Sequence, residues 1–143
     1  MAIFAGHQPA SFQRPGPQHH DRSGKIHQES SCQCTHHLIK IIAAICCIEL
    51  PRNGWPGIIE KISQNINNSD PTVKEVSILT IGFICEQIKE FNCSLEEGQQ
   101  ETILTGILMA VKDSHPDIVE TAFKALRDGM PAMSDVMKNI KAR

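Results

Sequence analysis

Tyrosine is absent from this chain of 143 residues, tryptophan occurs once, and aromatics make up 4% of it. That scarcity argues against a base-stacking platform, an antibody-like paratope or an aromatic cage for a cationic ligand. An excess of one charge is missing as well. The formal net charge is −2 and the pI is about 6.4, so no strong field steers the chain toward nucleic acid or an anionic membrane. No apolar run reaches the roughly 18 residues expected of a spanning helix, and no membrane partner is expected. Met1 to Gly6 is apolar but too short and too uncharged for a secretory signal. The motifs of common chemistry are also missing. Gly54-Trp55-Pro56-Gly57 has neither the spacing nor the Lys-Ser/Thr of a phosphate loop, and neither G-x-S-x-G nor H-E-x-x-H occurs. The sequence therefore predicts a non-enzyme without a cofactor. With 41% hydrophobic and 21% charged residues, the composition is that of about one globular domain.

The six cysteines are Cys32, Cys34, Cys46, Cys47, Cys85 and Cys93. Cys46, Cys47 and Cys85 lie in apolar helical stretches, where a reduced thiol acts as a small hydrophobe. A reduced, intracellular chain is expected. Cys32, Cys34, His36 and His37 form C-x-C-x-H-H, but a tetrahedral zinc site usually draws on two separated pairs, and no second pair lies nearby. No metal site is expected there. Cys93 is the most accessible nucleophile candidate, beside Phe91, with no His near it in sequence.

Residues 1–36 hold three prolines, three glycines and five of the seven His, with sparse and aperiodic apolar residues. Such a stretch buries too little surface to offset its ordering entropy, which predicts a disordered arm. From about His37 the pattern turns helical. Leu38, Ile41, Ile42, Ile45 and Ile48 form the first stripe, closed by Pro51. Pro56 is expected at the first position of a helix over 56–67, with the stripe Ile58, Ile59, Ile62 and Ile66. Asn67 to Asp70 are turn formers and cap candidates. A helix over 72–88 follows, with Val73, Ser77, Ile81, Ile84 and Ile88 inward. Ile103, Leu104, Ile107 and Val111 mark a helix over 101–112, and Ile118, Ala122, Ala125 and Leu126 mark one over 117–130. Residues 134–143 read as a short basic tail holding at most a weak amphipathic turn at Val136, Met137 and Ile140.

A shift of 45 residues superimposes these elements: Pro71 falls on Pro116, Val73 on Ile118, Glu75 on Glu120 and Ile81 on Leu126. Helix pairs joined by a short Asx/Pro turn at this period are the HEAT/armadillo signature. The fold expected is all-α, an α-α solenoid of about two and a half repeats over 37–133, with Leu38 to Leu50 as the second helix of a preceding repeat. Both ends should expose apolar surface.

The residues carry a more specific resemblance. E-L-P-x-x-x-W-P (Glu49, Leu50, Pro51, Trp55, Pro56) and the helix core I-G-F-I-C (Ile81 to Cys85) resemble the amino-terminal arch of the importin-beta family, as does ILTGILMAVKDS. The likeness covers about residues 37–133. It implies a HEAT array that carries protein cargo into the nucleus without catalysis, moving between cytoplasm and nucleus and transiently at the pore. It further implies binding of the GTP form of the Ran GTPase on the inner, second helices. The polar positions of those helices outside the core are Lys74, Glu75, Glu86, Glu120, Lys124, Arg127 and Asp128, the candidate contacts. Nucleoporins and importin-alpha are weaker expectations, since the family's later repeats have no counterpart here. Arg127 stands where Gly82 would lead one to expect glycine, and Leu79 matches Lys124 in the next repeat. A HEAT adaptor unrelated to transport, or a truncated paralogue without function, would share the helical pattern.

Overall fold

In the computed structural model the described residues are 22–142, with side chains described from Cys32 onward. Six helices follow in order: α1 (Arg22–Glu49), α2 (Ile58–Asn65), α3 (Pro71–Glu90), α4 (Glu97–Ala110), α5 (Pro116–Gly129) and α6 (Ser134–Lys141). Short 3-10 turns at Leu50–Arg52 and Met130–Met133 follow α1 and α5.

The helix boundaries have local causes. Pro51 ends α1, and Asn53 then turns left-handed (φ 52°) with its N–H on the Leu50 carbonyl. Gly57, at φ 74°, precedes α2, so Pro56 lies in the turn and not, as its type suggests, at the first helical position. The Asp70 side chain accepts the Thr72 N–H at 2.8 Å ahead of Pro71, an N-cap with proline at the first position. Asn92 (φ 51°) ends α3, with the Cys93 N–H reaching back to the Ile88 carbonyl at 3.0 Å.

The repeat extends to the turn hydrogen bonds. Asn68 Oδ1 accepts the Asp70 N–H at 2.9 Å, and Asp113 Oδ1 accepts the His115 N–H at 3.0 Å, at equivalent positions before Pro71 and Pro116. Helices α2–α3 and α4–α5 are thus equivalent hairpins. They stack in two layers. One runs α1, α3, α5, and the other runs α2, α4, α6, with α2 against α3 and α4 against α5. This is the HEAT-type all-α arrangement, with α2 and α4 on one side. Gly106 of α4 permits close approach to α2, because a Cβ there would stand 3.1 Å from Ile66 Cδ1. The core is isoleucine-rich: Ile59, Ile78, Ile81, Ile84, Ile103 and Ile107 are wholly buried. α3 lies between α1 and α5, so its buried surface spreads beyond one stripe to Ile78, Thr80 and Cys85.

Three expectations are corrected. Residues 22–36 are helical, continuous with α1; the reading of residues 1–21 as a disordered arm lies outside the described residues. Residues 134–141 form α6, which packs on α4 through buried Val136 and extends the first-helix layer, so this is more than a basic tail. In α1 the stripe Leu38, Ile41, Ile42, Ile45 and Ile48 faces outward, and Ile39, Ala43, Cys46 and Cys47 pack inward. With apolar residues on two opposite faces, Cys32–Arg52 has the length and mean hydropathy (1.4) of a membrane-crossing helix, although no strict run of such residues occurs. At the other end Phe123, Met130 and Ile140 are exposed.

Candidate protein-binding surface

The second-helix layer carries the candidate surface. Helical spacing puts Leu79, Gly82, Phe83 and Glu86 on one side of α3, and Thr121, Lys124, Ala125 and Asp128 on the facing side of α5. Between them runs a groove of about 180 Å³. Its floor is apolar, with Gly82 facing Ala125 across the helix contact. Its rim is charged: Glu86 on α3, and Lys124, Arg127 and Asp128 on α5. Phe83 continues the surface toward α1. His36 meets its ring edge-on at 5.8 Å between centroids, and Lys40 Nζ lies 5.3 Å above it.

The rim charges of α5 are paired with neighbours on the same helix. Lys124 Nζ reaches Glu120 Oε1 at 2.6 Å, one helical turn away, and its hydrogen bond holds the Glu120 carboxyl below the ordinary range. Arg127 donates to both carboxylate oxygens of Asp128, at 2.8 and 3.2 Å, which raises the pKa of the guanidinium. All four of these side chains are largely exposed. Exposed pairs of this kind add little stability, so their groups remain available to exchange partners on contact with another protein.

Of the seven candidates, Glu86, Lys124, Arg127 and Asp128 line the groove, and Glu120 joins them through Lys124. Lys74 does not. Its Nζ lies 2.6 Å from Asp113 Oδ2 in the turn between α4 and α5, with both side chains mostly buried. Glu75, half-buried, lies three turns before Glu86 on α3 and makes no hydrogen bond or ion pair with the described residues. The floor residues Leu79, Phe83, Thr121 and Ala125 were not among the polar candidates. The available signal was Leu79, an apolar residue off the core stripe.

The C-x-C-x-H-H segment lies on α1. Cys32 and Cys34 are exposed free thiols. His36 is against Phe83, and His37 Nδ1 is 2.7 Å from the Gln33 carbonyl. Among the described residues no group of three His, Cys, Asp or Glu side chains is placed to hold a metal ion. The Cys93 thiol, half-buried, lies 3.8 Å from the carbonyls of Cys47 and Phe91.

Comparison with known proteins finds several relatives, among them importins. Importin subunit beta-1 of Schizosaccharomyces pombe is 28% identical over 103 residues, 70% of this chain and 12% of the relative. Importin subunit beta-1 of Arabidopsis thaliana is 29% identical over 89 residues, 61% of this chain and 10% of the relative. The Saccharomyces cerevisiae protein of the same name is 40% identical over 48 residues, 33% of this chain and 6% of the relative. The chain is related to the importin-beta family over part of its length. No protein-family model matches it, and no solved structure does. The importin-beta likeness thus spans about a tenth of the relatives' own length.

Proposed function

We propose that this chain is an importin-beta-like HEAT scaffold of nucleocytoplasmic protein import, which binds protein partners and performs no chemistry. The observation that carries the reading is the likeness of 70% of the chain to importin subunit beta-1, on helices stacked in two layers. Its partner on the second-helix layer is the GTP form of Ran, met by Glu86, Glu120, Lys124, Arg127 and Asp128 around the apolar floor. Complementary charges at such a rim act on association rate and partner choice more than on raw affinity. The chain would then move between cytoplasm and nucleus. Nucleoporins and importin-alpha are further partners that the importin-beta likeness suggests.

The helical stack equally fits a second reading, a HEAT adaptor without a transport role. Retention experiments with Ran locked in its GTP and GDP forms separate the two. The transport reading expects preferential retention of the GTP form and weaker retention by K124E/R127E. Equal retention of both forms, or retention of neither, leaves the adaptor reading.

A further inference from the structure

We infer that Cys93 and Cys47 form a reversible disulfide when hydrogen peroxide is present, a redox clasp between the end of α1 and the turn that joins α3 to α4. The Cys93 thiol points at the Cys47 carbonyl, 3.8 Å away across 46 residues of sequence. The Cys47 thiol lies 3.8 Å from the Ile84 carbonyl, and the Cys93 N–H donates to the Ile88 carbonyl at 3.0 Å. Those two carbonyls are one helical turn apart on α3, about 6 Å along its axis. Both cysteines are therefore held against the same edge of α3. The Cys93 thiol also adds to the upward pKa shift at Cys47. A disulfide brings its two Cβ atoms to about 3.5–4.5 Å. Cys93 follows left-handed Asn92 and lies outside any helix, so a new rotamer and a small shift of the turn close the gap without unwinding α1 or α3.

The surroundings select this pair. Cys85 is turned toward α5, where its sulfur would stand 3.3 Å from a Cβ at Gly129. Cys46 is wholly buried and points about 100° away from Cys47 around α1. Cys93, half-buried, is where a small oxidant enters. Its thiolate attacks one peroxide oxygen; the O–O bond breaks, hydroxide leaves, and Cys93 becomes a sulfenic acid. The Cys47 sulfur then attacks the Cys93 sulfur, so the S–S bond forms and the S–O bond breaks. The departing hydroxide takes the Cys47 proton. In sum two thiols lose two hydrogens and two electrons, and one peroxide becomes two waters. The bond ties α1 to the turn between the following hairpins and closes a loop in the unfolded chain, which favours the fold.

The test treats the full chain with hydrogen peroxide, blocks the remaining thiols in urea, digests with trypsin without reductant and reads the peptides by mass spectrometry. Cleavage after Lys40, Arg52, Lys89 and Lys112 separates Cys47 and Cys93 from Cys85. Peptides 41–52 and 90–112 should appear joined, two hydrogens lighter than their sum, and should part on reduction. C46S and C85S should keep the link, while C47S and C93S should lose it with unchanged far-ultraviolet circular dichroism. In a C32S/C34S chain, which removes the exposed thiols, the oxidised form should melt above the reduced one. Four results would overturn the proposal: peptides that never join while Cys32 and Cys34 oxidise, a link that persists in C47S, a link that forms only when peroxide is added in urea, or an oxidised chain that melts no higher than the reduced one.

Discussion

Lys74 Nζ stands 2.6 Å from Oδ2 of Asp113, 39 residues further along the chain. The contact ties the first turn of α3 to the turn between α4 and α5, and so joins one helical hairpin to the next. Asp113 Oδ1 meanwhile accepts the backbone N–H of His115 at 3.0 Å and lies 3.0 Å from its Nδ1. The Lys74 hydrogen bond, followed by those from His115, holds the Asp113 carboxyl well below the usual carboxylate range. A carboxyl depressed in the folded state stabilises the fold above its unfolded pKa, near 4. That contribution is lost as pH falls below this value toward the folded pKa. Asp113→Asn and Lys74→Met should therefore lower the Tm at pH 7 and approach wild type as pH falls below about 4. Circular dichroism melts across this range check the convergence.

Ile81 is wholly buried on α3, the helix between α1 and α5. Ile81→Ala should cost about 2–5 kcal/mol in urea denaturation, through lost transfer energy and the cavity left behind. Leu108, on α4 and 46% exposed, is the control. Leu108→Ala should stay within about 0.5 kcal/mol of wild type.

Burial pushes the thiol of Cys85 up to about 12 and those of Cys46 and Cys47 to about 11, with Cys93 adding to the shift at Cys47. Alkylation of the native chain at pH 8, read by mass spectrometry, should mark exposed Cys32 and Cys34 first. Cys46, Cys47 and Cys85 should react only on unfolding. A thiol with a raised folded pKa favours the fold fully below its unfolded pKa. Stability should therefore fall as pH rises from about 9 toward 11, a loss readable in alkaline melts.

Two local devices have measurable costs. Gly57 holds φ 74° with nothing within 4 Å of a built Cβ, so Gly57→Ala meets backbone strain alone and should cost about 1–2 kcal/mol. Asp70→Ala removes the hydrogen bond to the Thr72 N–H and should cost about 1 kcal/mol. Urea titrations give both values.

Much of the architecture was legible because it rests on local chemistry. The prolines at 51, 71 and 116, the turn formers Asn67 to Asp70, and the stripes of α2 to α5 each act within a few residues. Pro71 and Pro116, with the stripes around them, recur at one period and announce stacked hairpins. The candidate surface was legible only in part. Helical spacing identifies which charges leave the core, but not which of them spend themselves on a neighbouring hairpin. Lys74 and Lys124 are alike by type. One is held by Asp113 across a repeat, and the other lines the α3–α5 groove.

Local sequence also misplaced the inward face of α1. Its two apolar faces are indistinguishable by period, and the larger residues Leu38, Ile41, Ile45 and Ile48 dominate the pattern. The inward side instead takes Ile39, Ala43, Cys46 and Cys47, and the small side chains of the last three permit close packing against α3. Residue order by itself determined the helices, their turns and the repeat, because those depend on backbone preferences and spacing. Only the assembled stack decided which side of each helix is buried and which charges converge on a groove, because that depends on which neighbours a helix has.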